Sequence, residues 1–301
     1  MKIHQRIKPN ASLRVPEQAG GSRLDHVLRL LLPENSRRGI QQLIRTGSVR
    51  VDGRIRPKGY RVAPGQEVIL ELSGPYRREF EDDLLDQVVM VQVARDFAAV
   101  CKPGGMHTES QLSTPHPALE TLLPKLFPDH DVQLLNRLDQ ATSGLVLLAL
   151  NHQAVQEYVR MQDMGKTVKS YLAVVHGLID QEGIVRTALD TCKRREVRAL
   201  QTLDPNPLRW TAFQSLDYSA SNQMSLVQVH IRKGRRHQIR AHMAAVGHPV
   251  VGDHVYGPTA QGPLLLHHWK IRFPGFEAQS KPQWPEWEGR IAGVLTGQGG
   301  L

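Results

Sequence analysis

Residues 23–32, Arg-Leu-Asp-His-Val-Leu-Arg-Leu-Leu-Leu, carry apolar positions at helical spacing, with Ser22 placed to cap the start and Pro33 to end the run. Ser36 caps a second predicted helix over residues 37–45, closed by Thr46-Gly47. The pattern then changes to alternation. Residues 48–54 read as an edge strand turning at Asp52-Gly53, and residues 67–71 as a further strand after Pro64-Gly65. Ser73-Gly74-Pro75 and the charged residues 76–83 have the composition of a linker.

From Leu84 onward the chain holds many short apolar runs, at residues 88–93, 97–101, 145–150, 171–175, 226–231 and 264–267, each a predicted strand. Segments of helical spacing among them include residues 118–126 and 154–164. Helices do not alternate regularly with the strands, so the expected class is α+β: a small front domain, then a mixed, largely antiparallel sheet with flanking helices. The expected divisions are a flexible N-terminus (1–20), a small domain (21–73), a linker (74–83), a larger domain (84–288) and a tail (289–301). Pro, Gly and Gln are frequent after Pro274, which predicts loose packing there.

Composition narrows the class. In 301 residues, 40% are hydrophobic and 22% charged, as expected of a folded soluble protein, and the length permits one large domain or two. No apolar stretch approaches the ~20 residues that span a bilayer, and residues 1–6 lack the core of a secretory signal. The two cysteines, Cys101 and Cys192, form no Cys-x-x-Cys pair, so neither a disulfide framework nor a zinc site is expected, and a cytoplasmic monomer is the default. The net charge of +9 points to a polyanion partner. Between Ser22 and Val62, ten basic residues, nine of them arginine, face only Asp25, Glu34 and Asp52. Arginine forks suit phosphates and stack on bases, which makes this segment a candidate nucleic-acid contact.

Four segments carry candidate chemistry. Asp139 follows Asn136-Arg137-Leu138 and precedes the turn residues Thr142-Ser143-Gly144, with an apolar strand behind it. On that segment alone the carboxylate is more simply a turn cap. Tyr171 opens an apolar run ending at Gly177, which also reads as an aromatic at a strand edge. Residues 234–243 place Arg236, His237, Gln238 and Arg240 together on an expected helical turn or two, and residues 247–257 form a glycine-punctuated loop. His237, His242, His248, His254, His267 and His268 have no zincin spacing, so no metal is expected.

Two resemblances follow. The front segment, through Arg23-Leu24-Asp25, Ser36-Arg37, Ile44 and residues 47–53 (Gly-Ser-Val-Arg-Val-Asp-Gly), resembles the alpha-L RNA-binding domain named after a small-subunit ribosomal protein. That likeness places Arg37, Arg38 and Arg45 at or near its RNA-facing side. Further on, Asn-Arg-Leu-Asp139-x-x-Thr-Ser-Gly, Lys-x-Tyr171-Leu-Ala, Gly-Arg-x-His-Gln-Ile-Arg240-x-His, Gly-His-Pro-Val-Val-Gly-Asp and Leu-Leu-Leu-His267 stand in the order seen in RluA-type pseudouridine synthases. The resemblance implies the pseudouridine synthase fold and isomerisation of uridines in structured RNA, chiefly ribosomal and sometimes transfer RNA, without a cofactor.

It implies Asp139 as the catalytic carboxylate, either adding to the ribose or removing a proton. Arg240 is its expected charge partner, Tyr171 the ring covering the uracil, and Arg137 the side chain filling the space left by a flipped base. Arg236, His237 and Gln238 are expected RNA contacts. The pattern departs at Asn136, where the family usually has histidine, and activity is expected to survive the change. The competing expectation is an RNA-binding or assembly factor that keeps the fold without catalysis. A methyltransferase is disfavoured, because Gly104-Gly105 is too short for a nucleotide-binding turn.

Overall fold

The computed structural model describes residues 12–32, 40, 41, 43, 44, 48–70, 84–110, 118–192, 196–258 and 262–295. Arg37, Arg38, Arg45, the expected linker at 74–83 and the last residues of the expected tail lie outside them. The chain divides into two compact units, Met1–Asp86 with Glu109–Leu122, and Gln87–Thr108 with Leu123–Leu301.

In the first unit, strands β1 (Ser12–Arg14), β2 (Val49–Val51), β3 (Arg54–Ile55) and β4 (Glu67–Leu70) form an antiparallel sheet in the order β1-β4-β2-β3. Helix α1 (Leu24–Leu31) buries Leu24, Val27 and Leu28, the i, i+3, i+4 face of an amphipathic helix, in a core with Ile40, Leu43, Val49, Val51 and Val68. Residues 40, 41, 43 and 44 are helical, in the middle of the second expected helix. The hairpin turns where the sequence indicated: Asp52 and Gly53 have φ of 49° and 74°, both left-handed, as a two-residue type I′ turn requires. The Asp52 carboxylate accepts the Glu67 N–H at 2.9 Å, tying the turn to β4.

Two expectations need correction here. The N-cap of α1 is Arg23, not Ser22, and no side chain caps it. Ser22 is held in the sheet layer, its N–H on the Ala19 carbonyl and its carbonyl on the Val62 N–H. Nor is the segment before residue 20 wholly flexible: β1 pairs with β4, and Val15 and Ala19 are buried.

The second unit is built on a mixed sheet of ten described strands. These are β5 (Val89–Val93), β6 (Phe97–Lys102), β7 (Gln133–Leu134), β8 (Ser143–Ala149), β9 (Val168–His176), β10 (Gly183–Val185), β13 (Thr211–Ser219), β14 (Met224–Ile231), β15 (Leu266–Phe273) and β16 (Phe276–Gln279), with a separate hairpin of β11 (Thr187–Asp190) and β12 (Arg198–Leu203). The main path runs β10-β13-β14-β9-β15-β8-β6-β5. Helices α2 (Leu119–Leu126), α3 (His152–Asp163), α4 (Gln238–Ala245) and α5 (Glu288–Leu295) lie along the later chain.

Only β15 and β8 pair in parallel; the other pairings of this sheet among the described strands are antiparallel. At that junction Gly144 (φ 111°) lies against His268, and a Cβ there would fall 2.4 Å from the His268 carbonyl oxygen, so only glycine admits the pairing.

Both faces of the sheet are packed. On one, Phe97, Leu145, Leu147 and Phe273 meet Ala154 and Tyr158 of α3. On the other, Leu172, Val174 and Leu226 meet Trp284, Trp287 and Ile291. The loosely packed tail expected after Pro274 is therefore overturned. Residues 276–279 extend the sheet as β16, and α5 crosses the boundary placed at 288. Prolines 282 and 285 mark a turn into that helix rather than the end of order, because the two tryptophans need a buried surface and find one.

Trp287→Ala is expected to cost about 3–5 kcal/mol, as for a large aromatic removed from a core, measured by urea unfolding. A pH dependence also follows from His267. It is buried with Nε2 donating to the Ser280 carbonyl at 2.9 Å and Nδ1 accepting from Ser143 at 2.8 Å, and burial pushes its pKa from 6.5 down to about 4. The folded state then refuses a proton that the unfolded chain takes up. Stability is full above pH 6.5 and falls, by about 3 kcal/mol for this group, as pH drops through 4. Unfolding free energies between pH 7 and 4 should fall less steeply in His267→Gln; an unaltered slope would contradict this.

Candidate active site

Asp139 stands on the connection from β7 to β8, and its neighbours are pinned on both sides. The Leu138 N–H donates to Thr108 Oγ1, and that hydroxyl donates back to the Leu138 carbonyl at 2.9 Å. The Gln140 carbonyl accepts the Gly105 N–H at 2.8 Å, and Thr142 N–H closes a turn on the Asp139 carbonyl at 3.1 Å. Asn136, the departure from the family pattern, clamps the loop to β8: Oδ1 accepts the Leu147 N–H at 2.6 Å and Nδ2 donates to the Leu145 carbonyl. With its backbone so held, the Asp139 carboxylate is left presented, its side chain 21% exposed.

Lys102, which the sequence reading did not single out, lies beneath this loop. It is fully buried at the end of β6, and Nζ donates to the carbonyls of Pro103 and Met106 at 2.8 Å and faces that of Gln140 at 3.4 Å. Burial pushes its pKa down to about 7, against the raising influence of the Asp139 charge. The signal was a lone lysine closing an apolar strand before Pro-Gly-Gly.

Arg240 comes from α4, 3% exposed. Nε and Nη2 each donate to an oxygen of Asp253 at 2.7 Å, and Nη1 donates to Asp139 Oδ2 at 3.1 Å. Burial works against the guanidinium, yet the two carboxylates outweigh it and raise its pKa. Burial would likewise raise the Asp253 carboxyl; Arg240 and the Val255 and Tyr256 N–H groups reverse this and hold it below its usual range. Asp253 lies in the glycine-punctuated loop quoted from the sequence, where no role was assigned to it. The expected pairing of Asp139 with Arg240 is present.

Tyr171 lies within β9, between β14 and β15, rather than at an edge. Its ring stacks on His268, with centroids 4.5 Å apart and planes inclined by 16°. Burial, then the nearby Asp139 charge, raises its pKa, so the phenol stays neutral and can donate. Arg137 is exposed on the Asp139 loop.

The run 236–238 departs from expectation. Helix α4 begins only at Gln238, and His237 precedes it in the left-handed region with φ 53°, so Arg236 and His237 are not on a helical turn with Arg240. Gln238 is not available to RNA. It is 2% exposed, its amide donating to the Arg209 carbonyl and Thr211 Oγ1 and accepting the Arg235 N–H, which fixes the entry to the helix. Arg236 donates to the Thr191 carbonyl, and His237 faces Asp139 Oδ2 at 3.8 Å.

The family described as RNA pseudouridylate synthase matches residues 96–245, and the S4 domain matches residues 22–68. An uncharacterized RNA pseudouridine synthase of Chloroflexus aurantiacus is 32% identical over 250 residues, covering 81% of this chain and 78% of that protein. The chain belongs to the RNA pseudouridine synthase family. Ribosomal large subunit pseudouridine synthase D of Nitrosomonas europaea is 29% identical over 284 residues, covering 86% and 79%. Among solved structures, human RNA pseudouridylate synthase domain containing 1 aligns with a TM-score of 0.54 and 25% identity, over 67% of this chain and 85% of that one. As an RNA pseudouridine synthase with an S4 domain in front, the protein isomerises uridine in RNA.

Replacing Asp253 with alanine leaves the Arg240 fork buried with only Asp139 to oppose it. The expected cost is about 3–5 kcal/mol of stability, with turnover lost as Arg240 shifts. Urea unfolding and a single-turnover assay check this.

Proposed function

We propose that Asp139 is the carboxylate through which this pseudouridine synthase reacts, and that its target is a uridine in structured ribosomal RNA. The observation that carries the first part is the 3.1 Å contact from buried Arg240 to a carboxylate that is itself one-fifth exposed. The donor to that carboxylate is a buried guanidinium, itself fixed at its far end by Asp253, so one carboxylate oxygen is held in a set position.

Isomerisation breaks the bond from C1′ to N1, forms one from C1′ to C5, and moves a proton from C5 to N1. No electrons enter or leave, so no cofactor is called for. Asp139 serves as nucleophile at the sugar or as base on its neighbouring proton. Neutral Tyr171, braced by His268, offers the flat face against the uracil. Arg137, exposed beside the acid, takes the place of the extruded base, which costs a few kcal/mol to flip.

The ribosomal target is supported by the names of relatives such as ribosomal large subunit pseudouridine synthase C of Rickettsia bellii, and by the S4 domain. The net charge of +9 suits a folded polyanion. We assign RNA holding to residues 21–73, including Arg37, Arg38 and Arg45, and the chemistry to residues from 84 to the end of α5, in a protein acting as a cytoplasmic monomer.

Incubation with unmodified ribosomal and transfer RNA, followed by chemical mapping of pseudouridine, should reveal a site in ribosomal RNA. Modification of transfer RNA alone would reassign the target. Asp139→Asn is expected to lower the single-turnover rate by roughly 100- to 10,000-fold. RNA affinity should be largely kept, since phosphate contacts elsewhere dominate it. Unchanged turnover would remove Asp139 from this role.

A further inference from the structure

The Asp139 carboxylate is held unevenly. Arg240 Nη1 at 3.1 Å and His237 Nε2 at 3.8 Å both face Oδ2, while Oδ1 has no partner among the described residues. What His237 can offer depends on which ring nitrogen carries its hydrogen, and the surroundings decide that. Burial, opposed by Asp139 and reinforced by Arg240 and Arg236, pushes the His237 pKa below its ordinary value. The ring is therefore neutral at pH 7 and carries one hydrogen.

Its Nδ1 lies 3.0 Å from Tyr256 Oη. That phenol oxygen already accepts the Val197 backbone N–H at 2.8 Å. The phenol hydrogen has no acceptor among the described residues except His237 Nδ1. Tyr256 then donates to Nδ1, and the imidazole hydrogen is left on Nε2, aimed at the carboxylate. The other tautomer would leave the phenol hydrogen without an acceptor among the described residues and set a nitrogen lone pair against a negative oxygen.

We propose that His237 is a positioning residue whose Nε2–H, fixed in place by Tyr256, holds Asp139 Oδ2 together with Arg240, so that Oδ1 is the oxygen that meets the ribose. This rests on Asp139 being the reacting group. At 3.8 Å the contact is longer than a hydrogen bond, and a small shift of either side chain on RNA binding closes it. His237 is built for the task by its backbone: its left-handed φ of 53°, uncommon outside glycine, turns the ring out of the course of α4 and back toward the acid. The ring edge also packs against Tyr256, 5.7 Å between centroids and perpendicular, while the Arg240 guanidinium lies 5.4 Å from the same phenol ring. Tyr256 thus supports both donors to Oδ2.

The test combines spectroscopy with kinetics on the full chain. Nitrogen-15 spectra of the histidine-labelled wild type should show His237 as the neutral Nε2–H tautomer. Tyr256→Phe keeps the ring packing but removes the hydroxyl, and should give a mixed tautomer signal with a slower single-turnover rate. His237→Phe should slow single turnover by roughly 10- to 100-fold, the loss of a hydrogen bond to a charged group, with RNA dissociation constants unchanged. His237→Gln, whose amide can still donate, should recover part of that loss. An Nδ1–H tautomer in the wild type, or His237→Phe turning over within about twofold of it, overturns the proposal. If His237→Phe does not fold, the wild-type and Tyr256→Phe spectra decide. Full activity in Asp139→Asn would instead defeat the assignment of the acid itself; an inactive Asp139→Asn beside a fully active His237→Phe defeats only the role given to His237.

Discussion

A guanidinium that cannot reach water must be neutralised where it stands, and Arg240 meets that demand with two carboxylates at once. Asp253 takes two of its donors at 2.7 Å, and Asp139 takes the third nitrogen at 3.1 Å. The first pair is fully enclosed and anchors the cation. The second is partly open and leaves a carboxylate presented to the site. Without the cation, desolvation would push Asp253 toward protonation. The connection from β7 to β8, helix α4 and the loop carrying Asp253 are thereby committed to one arrangement around one charge.

The sheet supplies the rigidity that this arrangement needs. Strand β8 is apolar and buried from Gly144 onward, and the acid sits on the connection leading into it, tied down by Thr108, Gly105, Asn136 and Lys102. The antiparallel pairing of β9 with β15 brings His268 beside Tyr171, so the ring expected to cover the base is itself stacked on a neighbour. Side chains held this way lose little conformational freedom when substrate arrives.

One polar side chain that reads as a candidate RNA contact is internal structure. Gln238 closes the entrance to α4, and His237 lies between Asp139 Oδ2 and the Tyr256 hydroxyl. The Asn136 amide bonds two β8 backbone groups and so seats the loop. The tail rich in proline and glycine supplies two tryptophans to the core, and so closes one face of the sheet.

Much of this was legible in the chain itself. The switch from helical to alternating spacing near residue 48, the Asp52-Gly53 turn, and the apolar runs that became β6, β8, β9 and β14 are local patterns, and local patterns survive folding. The order of motifs around Asp139, Tyr171 and Arg240 pointed to the family and to the residues that now lie together. What spacing could not convey is contact across distance. Asp139 and Arg240 are 101 residues apart, and Lys102 meets Gln140 across 38. Whether a histidine carries its hydrogen on one nitrogen or the other depends on a phenol 19 residues further along the chain. The sequence by itself determined the elements, the family and the reactive residue types. Only the tertiary structure decided which donors share the acid, because hydrogen bonds and desolvation act through a few ångströms of space and take no account of chain separation.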